Sequence, residues 1–334
     1  MRLRTRLVAP IVVAAVVGGA TACTAASARP DLRTASPPAA QARARGGASG
    51  ASAAPRAAPS PRPSPSVRPA ITVAGAPGGV KAKGAILVDA ATGQVLWSRD
   101  ADTMRPMASV TKVMTALLVL QAGGLDRQLS MTKAAASYAW KYGGESAAIH
   151  PGDVLTVQEL LAALLLPSGA DAAYTLAQAY GPGLDAFVAK MNAAAARMGL
   201  TGTRFSNPDG LPYPSETSTY STPSDLVTLG LAAMRYPAFR TLVDLEFYHL
   251  PKGPGHHQYW WDNTNGLIGS YPGADGIKTG YTDDAGHCLL FEAVRGGRTL
   301  IGVVLDSPAT GPDAGAQDAA RMLNWGFRLP PAGS

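Results

Sequence analysis

Strand-forming runs stand at both ends of the folded part of this chain, and helical runs fill the middle. Gly84-Ala85-Ile86-Leu87-Val88-Asp89 and Gln94-Val95-Leu96-Trp97-Ser98 flank Ala90-Ala91-Thr92-Gly93, which predicts a hairpin. Near the other end, residues 276–281, 288–294 and 299–305 predict three more strands, with turns at 283–286 and 295–298. Between them, residues 113–120, 157–166, 170–180, 184–200 and 224–234 predict helices, and 315–327 closes the chain as another. This order implies one α+β domain: a sheet completed by both ends of the chain, with a helical region inserted between them. No internal repeat is visible.

The front of the chain has a different texture. Arg2, Arg4 and Arg6 precede an apolar run from Leu7 to Ala22, and small residues follow, so residues 1–28 are expected to be a secretory signal peptide. Pro10 and Gly18-Gly19 interrupt the run, which is short for a membrane-spanning helix. Ala20-Thr21-Ala22-Cys23 resembles a bacterial lipobox, with Ala20 where Leu is usual; lipidation at Cys23 is preferred over ordinary cleavage after Ala26-Ser27-Ala28. Residues 29–75 are rich in Ala, Pro, Ser, Gly and Arg and cannot bury enough surface to offset their ordering entropy, so they are expected to be a linker. Residues 76–330 are then the folded domain.

Charge follows the same division. Residues 1–70 carry a net charge of +9 and the remainder −3, so the basic balance gives no reason to expect nucleic acid binding by the folded part. The two cysteines are Cys23, in the leader, and Cys288, in an apolar run where it is expected to behave as a small buried hydrophobe. None of the five histidines has His-Glu-x-x-His spacing, so neither a metal nor a cofactor is expected. His256-His257 reads as a chance pair in a Gly/Pro-rich loop. The Trp260-Trp261 pair suits the core or a glycan-facing surface, and the core is favoured.

Three short motifs carry the chemistry. Ser109-Val110-Thr111-Lys112 opens the apolar helix after Pro106, and its three-residue spacing puts hydroxyl and amine on one face, as a nucleophile and base require. Alone it is weak evidence, since Ser130-Met131-Thr132-Lys133 has the same spacing without the same apolar helix. Leu166-Pro167-Ser168-Gly169 places Ser168 in a break between helices, and Lys278-Thr279-Gly280 lies on an expected strand. The order resembles the signature of penicillin-binding proteins and β-lactamases, Ser-x-x-Lys, then Ser-x-Asn, then Lys-Thr-Gly, with Ser168-Gly169-Ala170 in the second place.

The surrounding residues sharpen the resemblance. Residues 107–116, 165–173 and 275–282, the loop Asn207-Pro208-Asp209-Gly210-Leu211 and the ending Asn324-Trp325-Gly326-Phe327 resemble the low-molecular-mass penicillin-binding proteins of the D-alanyl-D-alanine carboxypeptidase family. The resemblance implies an antiparallel sheet flanked by helices, an all-helical subdomain, and an active site between them. It also implies a peptidoglycan stem peptide ending in D-Ala-D-Ala as substrate and β-lactams as inhibitors; the leader, Cys23 and the linker add the expectation of an extracytoplasmic position held by an N-terminal membrane anchor.

The resemblance assigns roles to residues of this chain. Ser109 is expected to attack, Lys112 to act as base, and Ser168 to pass a proton to the leaving amine. Lys278 and Thr279 are expected to hold the substrate carboxylate, and Gly280 and Tyr281 to complete the binding strand. The N–H groups of Ser109 and Tyr281 are expected to form an oxyanion hole. Burial and the nearby Lys278 are both expected to lower the Lys112 pKa. Two departures stand out: Ala170 replaces the Asn expected two residues after Ser168, which should weaken ligand binding, and Leu305-Asp306-Ser307-Pro308 offers no Arg for the carboxylate. Asp171 and Asp209 are expected to be hydrogen-bond anchors.

Other functions fit less well. A β-lactamase with the same nucleophile is expected to need a further Glu, and Glu216 and Glu246 sit in no Glu-x-x-x-Asn loop. A non-catalytic wall-binding module is opposed by the intact Ser109, Lys112, Ser168 and Lys278. Carboxypeptidase and transpeptidase share one acyl-enzyme, so the sequence leaves their balance open.

Overall fold

The computed structural model describes residues 75–308, 311 and 313–330. The leader, Cys23 and nearly all of the linker expected from the sequence lie outside the described residues.

The chain enters through β1 (Gly84–Asp89) and β2 (Val95–Arg99), then β3 (Arg105–Pro106), a 3₁₀ turn at Ala108–Thr111 and helix α1 (Lys112–Ala122). Then come β4 (Gln128–Ser130), α2 (Lys133–Tyr142), β5 (Val154–Thr156), α3 (Val157–Leu165), α4 (Ala170–Tyr180) and α5 (Leu184–Arg197). The second half holds β6 (Tyr220–Ser221), α6 (Pro223–Ala233), α7 (Pro237–Val243), β7 (Phe247–Leu250) and β8 (Tyr259–Asp262). It closes with β9 (Ala274–Thr282), β10 (Gly286–Arg295), β11 (Arg298–Ser307) and α8 (Ala314–Gly326).

Both ends of the chain do meet in one sheet. Its order is β2-β1-β11-β10-β9, and every pairing is antiparallel. The central strands are apolar on both faces because both faces are covered. Leu87, Phe291, Leu300 and Val304 pack towards α8 through Leu323 and Trp325. Their alternating neighbours Ile86, Leu290, Ile301 and Val303 join a second core with Leu226 of α6, Val110 and the inserted helices. Sheet and helices thus share a core, and that shared core places the Ser109 turn against β9.

Local signals set the helix starts. Thr156 and Glu159 form a reciprocal capping box at α3, and Thr222 caps α6 ahead of Pro223. The sequence reading missed α2, α7 and the β7–β8 hairpin, and the hairpin corrects the expectation for Trp260-Trp261. Strand alternation turns Trp261 inwards at 3 % exposure and leaves Trp260 outside at 54 %. His257 is also more than a loop residue: its ring lies 3.0 Å from Asp153 and stacks on His150.

Candidate active site

Pro106 ends β3, and the chain then tightens into the 3₁₀ turn before α1. Within that turn Ala108 takes a φ of +47°, a left-handed conformation that costs free energy at a residue with a side chain. The turn delivers Ser109 beside the first residue of α1, so that Lys112 Nζ lies 2.7 Å from Ser109 Oγ. Lys112 is 1 % exposed and its ammonium donates also to the Asp209 carbonyl at 3.1 Å.

The loop at 207–211 is built to make that second contact. Asn207 Oδ1 accepts from the Gly210 N–H at 2.7 Å, and its amide donates to the Leu211 carbonyl at 2.8 Å. Thr115 of α1 donates to the Pro208 carbonyl. Gly210 sits at φ +84°, and a Cβ there would lie 1.8 Å from the Ala108 carbonyl oxygen. Glycine is required by the backbone angle and by the close approach to the Ser109 turn.

From the other side comes β9. A Cβ on Gly280 would lie 3.0 Å from the Ser109 nitrogen and 2.9 Å from the Met107 carbonyl, so the strand backbone presses on the turn. Lys278 is 1 % exposed, and Thr279 Oγ1 lies 3.3 Å from its amine. Ser168 precedes α4 with a φ of +67°, a second left-handed residue beside the same cavity. Ser109, Ser168, Thr279, Gly280 and Tyr281 line one cavity of about 570 Å³, with Lys112 and Lys278 buried behind its wall. The structure therefore gathers all seven residues singled out by the sequence.

Burial lowers the Lys112 pKa from 10.5 to about 8, opposed by the Asp209, Asp171 and Glu145 carboxylates. Lys278 is pushed well below its usual value by burial and then by the charge of Lys112. The repulsion between the two buried amines is mutual and disfavours both ammonium forms. Asp209 is fully buried, and its own pKa is raised by that burial.

Asp171, in the first turn of α4, is a hydrogen-bond anchor, as expected, and holds the segment between α2 and β5. Its carboxylate accepts from Ser146 Oγ and from the Ala147 and Ile149 N–H groups. This strap sets Glu145 on the cavity rim. Ala170 donates its N–H to the Glu145 carbonyl at 2.8 Å, and its fully buried side chain packs with Tyr138, Ala139 and Leu211 rather than lining the cavity. Asp306 is committed to Lys83 and Arg105.

Sequence reasoning missed Thr264. Its hydroxyl lies 2.6 Å from that of Thr279, and its N–H donates to the Leu166 carbonyl, so it joins β9 to the segment leading to Ser168. Glu216 also borders the cavity, its carboxyl raised by burial and by Asp284 and Asp283. No motif surrounds either residue, and only the tertiary fold brings them in.

Comparison with known proteins agrees with this geometry. Residues 71–309 match the D-alanyl-D-alanine carboxypeptidase family. A D-alanyl-D-alanine carboxypeptidase of Streptomyces sp. strain K15 is 40 % identical over 262 residues, covering 75 % of this chain and 88 % of the relative. One from Bacillus subtilis is 34 % identical over 250 residues, covering 74 % of this chain and 62 % of the relative. A solved serine-to-alanine mutant of the Streptomyces K15 DD-transpeptidase superposes with a TM-score of 0.71 at 40 % identity, over 75 % of this chain and 99 % of that one. The crystal structure of a Mycobacterium tuberculosis D-alanyl-D-alanine carboxypeptidase gives 0.68 at 36 % identity, over 75 % and 93 %.

Proposed function

The chain belongs to the D-alanyl-D-alanine carboxypeptidase family, and on that premise we propose that it removes the terminal D-Ala from peptidoglycan stem peptides through an acyl-enzyme on Ser109. The observation that carries this reading is the 2.7 Å contact between Ser109 Oγ and the amine of buried Lys112.

With Lys112 neutral, the same contact lets the Ser109 hydroxyl donate to the amine. Ser109 Oγ attacks the carbonyl of the penultimate D-Ala, and its proton passes to Lys112 Nζ. Charge developing on the carbonyl oxygen is met by the N–H groups of Ser109 and Tyr281, each worth on the order of 3 kcal/mol in such a hole. Collapse breaks the C–N bond, Ser168 delivers its proton to the departing amine, and the proton held by Lys112 replaces it, so that Ser168 is again a hydroxyl and Lys112 a neutral amine. Water then attacks the ester, restoring the Ser109 hydroxyl and releasing the shortened peptide as a carboxylate.

Binding follows from the sheet order. β9 is an edge strand, so its outer backbone groups are able to pair with an extended peptide. Thr279 and Lys278 then meet the terminal carboxylate, whose negative charge favours protonation of the depressed Lys278 amine. The domain doing this work is 76–330.

A second reading is transpeptidation, in which an amine rather than water takes the acyl group. The solved Streptomyces K15 neighbours called DD-transpeptidases favour keeping it. The test is incubation with a stem peptide ending in D-Ala-D-Ala, with and without an amine acceptor, following D-Ala release and product mass. Hydrolysis alone supports the carboxypeptidase. An acceptor adduct as the main product would replace it, and no D-Ala release would refute both.

The proposal extends to location. The export signal lies within residues 1–28 and is cut before Cys23, which serves as the lipid attachment point, with 29–75 as the tether between membrane and wall. The supporting features are the apolar leader and Ala20-Thr21-Ala22-Cys23. Among the described residues no helix is long and apolar enough to cross a membrane. Cys23→Ala is expected to release the protein from the membrane fraction or block its maturation; an unchanged fraction would refute the anchor.

A further inference from the structure

Thr264 stands where three groups of the site meet. Its hydroxyl lies 2.6 Å from the Thr279 hydroxyl and 3.2 Å from the Leu166 carbonyl, and its N–H donates to that same carbonyl at 3.1 Å. Thr279 Oγ1 in turn lies 3.3 Å from the Lys278 amine. A chain of hydrogen bonds thus runs from buried Lys278 through two hydroxyls to Leu166, two residues before Ser168. Both hydroxyls border the cavity.

A hydroxyl carries one proton, so the chain has a direction. Thr264 donates either to the Leu166 carbonyl or to Thr279, and the distances suit both senses. Thr279 donates either to Thr264 or into the cavity. An ionised carboxylate only accepts. To hold one, Thr279 turns its proton into the cavity, and Thr264 then becomes the donor to Thr279 Oγ1. Two features make that arrangement available. The Leu166 carbonyl keeps the Thr264 N–H when the hydroxyl turns away from it. Thr279 Oγ1 then accepts from Thr264 and from Lys278, which fills both of its lone pairs and leaves the ligand as the partner for its proton. Bonds that a hydroxyl accepts also strengthen the one it donates.

We propose that Thr264 is a positioning residue for carboxylate recognition: its hydroxyl donates to Thr279 Oγ1 in the complex, so that the Thr279 proton is aimed at the terminal carboxylate of the ligand. This rests on the reading of the Ser109 cavity as a site for peptides ending in D-Ala-D-Ala. The residue acts on binding and hence on KM, through Thr279, and takes no part in bond breaking.

Thr264→Val isolates the hydroxyl, because it keeps the side-chain shape and leaves the backbone bond to Leu166 in place. The substrates are two acyl-D-Ala thioesters, one with mercaptoacetate and one with ethanethiol as leaving group, so that the same scissile bond is offered with and without a carboxylate. Thiol release gives kcat and KM. The wild type is expected to prefer the mercaptoacetate ester. Thr264→Val is expected to lower kcat/KM for that ester about fivefold, chiefly through KM, and to leave the ethanethiol ester unchanged. Thr264→Ser, which restores a hydroxyl, is expected to recover most of the loss. An equal loss on both esters, a fall confined to kcat, or no recovery with Ser would overturn the proposal. A second measurement combines the substitution with Thr279→Val. Since Thr264 acts through Thr279, the double variant is expected to match Thr279→Val alone; additive losses would show that Thr264 meets the ligand itself, and would overturn the proposal. A wild type that releases no thiol and takes no penicillin label would refute the activity reading and this inference with it. A wild type that is active and labelled, with an ester preference that Thr264→Val does not move, would refute this inference alone.

Discussion

Acylation by a β-lactam should depend on pH through Lys112. Burial moves its amine from 10.5 to about 8, which corresponds to about 3 kcal/mol against the ammonium in the folded protein. The sign is fixed by chemistry: the neutral amine is the base, so the rate rises as pH rises through that value. Roughly a tenth of molecules carry the neutral amine at pH 7, about half at pH 8 and about nine-tenths at pH 9. The second-order acylation constant should therefore climb close to tenfold between pH 7 and 9. The perturbation is Asp209→Asn. Of the carboxylates that raise the Lys112 pKa, Asp209 has the largest effect, and the Asn side chain keeps an oxygen for the Leu211 N–H. The rising limb should move to lower pH, so that acylation at pH 7 is faster than in wild type relative to each protein's plateau. Stopped-flow measurement with a chromogenic cephalosporin reads both curves. Loss of β-lactam carboxylate binding as Lys278 deprotonates affects the binding constant, so the limiting rate at saturation is recorded alongside. A wild-type limb centred near 10, or a limb that Asp209→Asn moves upwards, would refute the assignment of Lys112 as a buried base.

Three further outcomes follow from packing and charge. Ala170→Asn puts an amide into space already filled by Tyr138, Ala139 and Leu211, so a loss of about 1–3 kcal/mol in stability is expected, with no gain in acylation; faster acylation would show that this side chain reaches the cavity. Gly210→Ala forces a Cβ into the Ala108 carbonyl, and should cost more than about 2 kcal/mol while displacing Ser109, seen as a lower Tm together with lost penicillin labelling. Glu292, 6 % exposed, is raised from 4.5 to about 8 by burial and then by Asp275. With the folded value above the unfolded one, its contribution is fully present below about pH 4.5 and lost as pH rises through 8, a penalty of about 5 kcal/mol at most. Glu292→Gln should raise Tm above pH 8 and change it little at pH 5; equal shifts at both pH values would contradict this.

The parts of the fold legible in the sequence are those where local pattern and tertiary environment agree. β1, β10 and β11 are covered on both faces and so appear as apolar runs, interrupted in β10 by Glu292. α3, α4 and α6 carry long apolar stretches and recognisable starts. α2 escaped because Lys133–Tyr142 mixes Ala with Tyr, Trp and Lys, and its stability comes from the Thr132 cap and from Tyr138 packing against distant Leu211. The β7–β8 hairpin escaped because its strands are four residues each and a Gly/Pro-rich loop separates them. In the site, Ser109, Lys112, Ser168 and Lys278 were legible because their spacings sit on a helix start, a helical break and a strand. Thr264 was not, since its partner Thr279 lies fifteen positions away, nor was the grip of Asp209 on Lys112, ninety-seven positions away. Trp260 and Trp261 are neighbours of one kind, and only the strand register separates an exposed ring from a buried one.

The central claim is that Ser109 is the nucleophile that Lys112 activates. Intact-mass measurement after exposure to benzylpenicillin, followed by peptide mapping, tests it most directly. The account predicts one covalent adduct on wild type, mapped to Ser109, and none on Ser109→Ala with its fold preserved. An adduct of equal yield on Ser109→Ala, or one mapped to Ser130 or Ser168 in wild type, would contradict it.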